Sequence, residues 1–180
     1  KMLKINLGCG WRNFGKDWDH IDGGNYPHLD SKDITNLPYV DNTVDLLYAS
    51  HVLEYFDREQ AKVILKEWKR VLKPNGILRL AVPNFKTMAH LFINGTVPLK
   101  GILGPLYGKM IMGDQNIYHK TVYDYDSLKD LLEQANLKKI RVYDWRKTEH
   151  SNFDDQSQAY YPHMDKTNGI LISLNMECRK

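Results

Sequence analysis

Short β-rich runs recur along the chain at Met2 to Leu7, near His20 to Asp22, and at Thr43 to Ser50, Gly76 to Val82, Leu137 to Asp144 and Gly169 to Met176. Several are nearly continuous in apolar residues, the pattern of strands covered on both faces rather than one. Between them lie segments of helical period. The clearest follows Asp57, where Ala61, Ile64, Leu65, Trp68, Val71 and Leu72 fall on one face and Lys62, Lys66, Lys69 and Arg70 on the other. Asp57 with Gln60 three residues on has the form of a capping box, and Lys73-Pro74-Asn75-Gly76 is expected to stop the helix and turn the chain. A second helix is expected from about Ser127 to Ala135, with Leu128, Leu131, Leu132 and Ala135 inward and a Ser127/Asp130 cap. Strand and helix in alternation predict an α/β domain with a mostly parallel sheet and helices on both faces.

A chain of 180 residues suits one domain, residues 1–180, and two domains are not expected. At 42% hydrophobic and 26% charged it can bury an ordinary core. Its longest apolar runs are far shorter than the roughly 18–20 residues of a membrane span, and its first residues have no signal-peptide pattern. Two cysteines at opposite ends make no disulfide framework, so a soluble, cytoplasmic protein is expected. A net charge of +3 is too small an excess to point to nucleic acid. The stretch from Phe85 to Tyr123 breaks the strand–helix rhythm and is rich in Gly, Pro, Met and Tyr. A connection of that length is expected to be functional, here a lid-like insert over the sheet's edge.

The chemistry-bearing residues cluster at the predicted carboxyl ends of strands. Lys4-Ile5-Asn6-Leu7 runs into Gly8-Cys9-Gly10, where a tight glycine turn lets backbone approach a ligand closely. Asp22, followed by Gly23, stands at the tip of the second strand, where a carboxylate can hold both hydroxyls of a ribose. Asp33-Ile34 fits a third strand end, and Ser50-His51 closes the fourth. A nicotinamide dinucleotide fingerprint fails on spacing. Gly15 is misplaced for the third glycine, and Asp22 comes too early for the acid expected about 20 residues on.

Taken together, Leu7-Gly8-Cys9-Gly10, His20-Ile21-Asp22, Asp33 to Tyr39, Val44 to Phe56 and Leu72 to Leu78 resemble the class I S-adenosylmethionine-dependent methyltransferases, in particular the small type 11 kind. The resemblance spans about Ile5 to Asn84 in the family's order. It implies a Rossmann-like, seven-stranded sheet and S-adenosylmethionine as cofactor. It also implies Gly8, Cys9 and Gly10 against the methionine moiety, Asp22 on the ribose, Asp33 and Ile34 beside the adenine, and Ser50 and His51 beside the transferred methyl, with Asn6 and Gly23 also among the cofactor-binding residues. The chain departs from the family pattern in having Asn6 where many members are acidic and Arg12 where many have a third glycine. The gaps from Gly10 to Asp22 and from Asp22 to Asp33 are too short for full helices, so the first helices are expected as turns. No helix is expected ahead of the first strand, which leaves the Phe85 to Tyr123 insert as the cover.

An acceptor that must lose a proton calls for a base, and histidine's pKa suits the task. His51 and His119 are the candidates, with His150 and His163 behind them; His51 has the alternatives of bonding the cofactor or capping the next helix. Tyr107, Tyr118, Tyr160 and His163 are candidate acceptor contacts, from the insert and from the polar, aromatic segment before the last strand. No metal-ligand spacing is present, and Cys9 reads as a small turn residue rather than a nucleophile. The Asn/Asp-Pro-Pro-Tyr/Phe motif of base-methylating enzymes is absent after the fourth strand, so a DNA partner is not expected. The reading is a methyltransferase for a small polar acceptor such as a sugar, nucleotide-sugar, glycan or metabolite. The alternative is a cofactor-binding regulatory or scaffolding protein without turnover.

Overall fold

The computed structural model describes residues 1–180. Strands β1 (Lys4–Leu7), β2 (Asp19–Ile21) and β3 (Val44–Ser50) come first, joined by turns alone, as the short gaps require. Helix α1 (Arg58–Val71) follows, opened by the expected capping box: the Asp57 carboxylate accepts from the Gln60 backbone N–H while the Gln60 side chain accepts from the Asp57 backbone N–H. It ends one residue before strand β4 (Leu72–Pro83), because Pro74 excludes helical backbone at Lys73. Helices α2 (Phe85–Ile93) and α3 (Leu99–Tyr107) and the hairpin of β5 (Gly108–Met112) and β6 (Gln115–Tyr118) make up the insert. Its two ends meet where Phe85 N–H donates to the Tyr123 carbonyl at 2.9 Å.

Helix α4 (Tyr125–Gln134) begins two residues earlier than its periodicity suggests. The capping pair is Asp124 with Ser127, not Ser127 with Asp130, because the Asp124 carboxylate accepts from the Ser127 backbone N–H at 2.9 Å. Strand β7 (Lys138–Val142) comes next. The run Gly169 to Met176 divides: β9 (Ile170–Leu171) pairs with β8 (Tyr160–Tyr161) in a separate ribbon, and β10 (Ser173–Arg179) enters the main sheet.

The main sheet has the order β2-β1-β3-β4-β10-β7, parallel from β2 to β4 and antiparallel on both sides of β10. Beyond β2, Ser31 makes a single parallel bridge to Ile21, which is all that remains of a further strand at that edge. Register assigns the two faces. Ile5, Leu7, Leu47, Ala49, Leu78, Leu80, Leu174 and Met176 face α1 and α4 and form the main core with Trp68, Leu65, Leu128 and Leu132.

The other face carries a row of polar residues in register across all six strands: His20, Asn6, Tyr48, Arg79, Glu177 and Arg141. Over it lie the segment that replaces the first helix and the stretch from Trp145 to Gln158, clasped by Phe14 stacked on Phe153 at 4.5 Å. Arg79 bonds Glu177 at 3.0 Å and Glu149 at 2.7 Å, and Glu177 takes Arg141 on its other oxygen at 2.9 Å. His150 sits against Tyr48 with its Nε2 3.1 Å from Arg79, and Tyr48 donates to Asp155. Burial and the Arg79 charge hold His150 down at about 3, so it is a neutral packing group under the sheet. No helix is long and apolar enough to cross a membrane.

Candidate functional site

The parallel strands β1, β2 and β3 end side by side, so their carboxyl-terminal turns form one rim. At Gly8 and Gly10 the backbone takes φ of +63° and +56°, the left-handed region where a side chain is strained. A β-carbon at Gly8 would run into Val52, whereas one at Gly10 would point into open space. Gly8 thus lets the turn nestle against the β3 exit, and Gly10 leaves backbone free to face a ligand.

Asp22 is the hinge of this rim. One carboxylate oxygen accepts the Gly10 N–H at 2.8 Å and the other the Gly24 N–H at 2.7 Å, which ties the β1 turn to the β2 turn. Each oxygen has a lone pair left for a further donor. Cys9 is buried in the same turn, and burial together with Asp22 raises its thiol to about 12. It stays protonated and serves as turn packing. Gly23 is exposed but approached by the insert: the Met112 sulfur at the tip of the β5–β6 hairpin lies 2.6 Å from where its β-carbon would be. The insert therefore reaches across the rim to the turn that carries Asp22.

A second group assembles at the β3 end. Ser50, the last residue of β3, follows the Leu7–Ala49 pair, and its hydroxyl is buried without a partner. His51 is held at φ +53°, in the left-handed region that few non-glycine residues adopt. Its Nε2 lies 2.9 Å from the Ser173 hydroxyl, and its Nδ1 lies 3.4 Å from the carboxylate of Glu54. From the insert, His119 brings its Nε2 to 3.9 Å from the same Glu54 oxygen, packs edge-on against Tyr55 and bonds the Pro105 carbonyl through Nδ1. Glu54 is fully buried with neither oxygen hydrogen-bonded, and the Tyr123 hydroxyl is likewise unpartnered. Burial raises Glu54 to about 8 and holds His51 down at about 3, so at neutral pH the carboxyl is protonated and the imidazole uncharged.

The structure thus brings Gly8, Cys9, Gly10, Asp22 and Gly23 into one turn pair, and Ser50, His51 and His119 into a neighbouring group. Others lie apart. Asn6 is buried on the polar face between His20 and Tyr48. Asp33 is exposed and bonds only Thr35, which lowers its pKa, while Ile34 packs on the main core and its carbonyl accepts the Trp68 indole N–H. Tyr107 and Tyr118 are exposed on the insert, Tyr160 is buried with Trp145 in a separate small cluster, and His163 is exposed. Sequence reasoning missed Glu54. Its signal was a single acid in the otherwise apolar and aromatic stretch Val52-Leu53-Glu54-Tyr55-Phe56, three residues after His51.

Comparison with known proteins agrees with this geometry. Residues 15–80 match the family model described as a methyltransferase domain. A demethylmenaquinone methyltransferase of Staphylococcus haemolyticus is 30% identical over 127 residues, covering 64% of this chain and 49% of that protein. The chain therefore spans about half the length of the curated relative it matches. Among solved structures, a SAM-dependent methyltransferase of Methanosarcina mazei superposes with a TM-score of 0.61 at 17% identity, covering 99% of this chain and 92% of that one. The 1,6-didemethyltoxoflavin-N1-methyltransferase of Burkholderia thailandensis, solved with bound 1,6-didemethyltoxoflavin and S-adenosylhomocysteine, gives a TM-score of 0.57 at 14% identity, covering 99% of this chain and 70% of that one. Fold, motif order and family match point the same way: residues 15–80 match a methyltransferase domain, and the fold over nearly the whole chain is similar to that of SAM-dependent methyltransferases.

Proposed function

We propose that the protein binds S-adenosylmethionine at the rim of β1, β2 and β3 and transfers its methyl group to a small-molecule acceptor. The observation that carries this is Asp22, which ties the Gly10 and Gly24 amides together and keeps lone pairs for a ribose diol, beneath a hairpin tip that closes on Gly23. The residues fit the cofactor: Gly10 has open space where a side chain would stand, and Ser50, at the end of β3, offers a buried, unpartnered hydroxyl. Gly8 to Gly10 would hold the methionine end and Asp22 the ribose. When bound, the sulfonium supplies an activated methyl group. What the chain contributes is alignment, exclusion of water by the insert, and a place for the proton that an O–H or N–H acceptor gives up.

The surface of the insert favours an acceptor with an apolar body over a sugar. Phe92, Ile93, Leu99, Tyr107 and Ile111 are exposed on it, and its charges are Lys86, Lys100, Lys109 and Lys120 against Asp114 alone. The polar acceptor expected from its Tyr and His residues has less support, since Tyr107 and Tyr118 point to the surface and His119 turns inward to Glu54. The similarity to a protein named as a demethylmenaquinone methyltransferase supports an aromatic, apolar acceptor.

Calorimetry with S-adenosylhomocysteine tests the cofactor site. Asp22→Ala is expected to weaken binding about 10- to 100-fold, the worth of a charge-assisted hydrogen bond or two, and Gly10→Val to abolish it. Undiminished binding by both variants refutes the assignment. Methyl transfer to a reduced naphthoquinone but not to a UDP-sugar is the expected acceptor result, and the reverse preference overturns it. Tight binding with transfer to neither would indicate a cofactor-binding protein without turnover.

A further inference from the structure

The hydrogen bonds around His51 and His119 determine where their protons are. The Asn175 amide nitrogen donates to the Ser157 carbonyl at 2.8 Å, so its oxygen faces Ser173 and accepts that hydroxyl's proton at 2.8 Å. Ser173, having spent its only proton, accepts from His51, and the His51 proton is therefore on Nε2. Nδ1 is then the bare nitrogen, and it faces Glu54. His119 Nδ1 lies 3.0 Å from the Pro105 carbonyl, which can only accept, so the His119 proton is on Nδ1 and its bare Nε2 faces the same Glu54 oxygen. Two imidazole lone pairs converge on one oxygen of a fully buried carboxyl that has no other partner. Three acceptor atoms turned toward one another repel unless a proton lies among them, and the buried carboxyl can carry it without charge.

We propose that His51, Glu54 and His119 form one proton-holding site, in which a single proton on Glu54 is shared with one imidazole while the other imidazole keeps a free lone pair for the proton released by the methyl acceptor. The catalytic half of this statement rests on the methyltransferase reading; the shared proton does not. The step balances. The bond from the methyl carbon to sulfur breaks with its electron pair passing to sulfur, the bond from the methyl carbon to the acceptor atom (oxygen, nitrogen or a quinol ring carbon) forms, and the proton the acceptor gives up goes to the free imidazole nitrogen. One positive charge leaves the sulfonium and one appears on the imidazole. Because His119 belongs to the insert, and the Lys120 N–H donates to the Glu54 backbone carbonyl at 2.8 Å, the site is complete only while the insert is seated on the β3 rim. Glu54 is thus a positioning residue that couples closure to proton acceptance.

The other titratable groups against Glu54 are Tyr55 and Tyr123, both raised by burial and by Glu54 itself, and the charged group that acts on His51 is Arg12. Both tyrosines are pushed further above neutrality, so a step close to pH 8 belongs to Glu54.

Imidazole nitrogen NMR on the full chain, free and with S-adenosylhomocysteine, tests the proposal. The expected spectrum shows His51 protonated on Nε2 and His119 on Nδ1, both neutral at pH 7, and both shifting together in one step near pH 8. In Glu54→Gln that step should vanish. In His119→Gln it should persist on His51 alone, which keeps the test decisive if the first variant folds poorly. Independent titration of the two histidines near their ordinary pKa, or survival of the shared step in Glu54→Gln, overturns the proposal. So does a stoichiometric metal ion bound between the three side chains. With an acceptor that the parent methylates, Glu54→Gln should lower kcat by about 100-fold, the typical worth of acid–base assistance, with S-adenosylhomocysteine affinity within threefold of the parent. Failure of the parent to bind S-adenosylhomocysteine would refute the methyltransferase reading and leave the NMR result to decide the shared proton separately.

Discussion

The two faces of the central sheet solve the same problem by different means. One is lined by Ile5, Leu7, Leu47, Leu78, Leu80 and Met176 and buried under α1 and α4, so its stability comes from apolar area and close packing. The other carries His20, Asn6, Tyr48, Arg79, Glu177 and Arg141 in one row and is covered by irregular chain. Shortened connections leave no helix after β1 to cover that face. Loops have unpaired backbone groups and few apolar side chains, and a polar sheet surface gives them partners: Tyr48 holds Asp155, Asn175 holds the Ser157 carbonyl, and Arg79 holds Glu149. The polar row is thus the complement of a loop cover, as the apolar face is of a helical one. It also anchors the site, because Phe14 on the chain leaving the Gly8–Gly10 turn is stacked on Phe153.

The contrast can be broken most forcefully by truncation at the centre of each face. Trp68→Ala should destabilise by about 3–5 kcal/mol in chemical denaturation at pH 7 by leaving a cavity, and Arg79→Leu by about 2–4 kcal/mol by leaving the buried Glu177 with Arg141 as its one remaining partner. They should differ in repair. Arg79→Leu combined with Glu177→Leu should recover most of the loss, since Arg141 and Glu149 can both reach water. If the double variant is as unstable as the single one, the row is held by shape and not by charge.

The pH dependence of stability should come next in size, with opposite signs at the polar face and at the rim. His150 is neutral in the fold down to about 3, whereas an unfolded histidine protonates near 6.5. The unfolded state therefore binds more protons in that window, and stability falls as pH drops through it. Glu177 and Glu149, held below the ordinary carboxylate value by Arg79 and Arg141, add to the loss in stronger acid. Glu54 acts the other way. Its pKa of about 8 means the fold holds a proton that the unfolded chain has released, so stability falls as pH rises from the unfolded value of 4.5 through about 8. Thermal melts should show His150→Phe flattening the acid limb and Glu54→Gln the alkaline one. An unchanged alkaline limb in Glu54→Gln would place that titration elsewhere.

The smallest effects are expected at the helices of the apolar face. Asp57→Ala and Asp124→Ala should each cost about 1 kcal/mol by removing an N-cap. Equal losses at the two positions would support Asp124, rather than Ser127, as the true start of α4.

The asymmetry between the faces explains what could be read in advance. Helix α1 was visible because 3.6-residue periodicity and the Asp57/Gln60 box are local. Gly8, Gly10 and Asp22 were visible because a turn at a strand end is also local. The polar row was not, since Arg79 and Glu177 are far apart in sequence and look like ordinary charges until register joins them. Glu54 escaped notice because its significance depends on burial, on Ser173 fixing one imidazole and on the insert delivering another. The division of Gly169 to Met176 into two strands was equally hidden, as an apolar run does not reveal which neighbour takes its hydrogen bonds.

By itself, then, the sequence determined the α/β class, the order of the motifs, the glycine turn with its carboxylate, and the reduction of the early helices. All of these follow from interactions within a few residues of one another. Only the tertiary structure decided which face would be polar, where the insert would land, and that His51 and His119 share a buried carboxyl. Those outcomes depend on strand register and on the removal of water from groups distant in sequence, where the cost of a buried charge is set by whatever side chain the fold brings within reach.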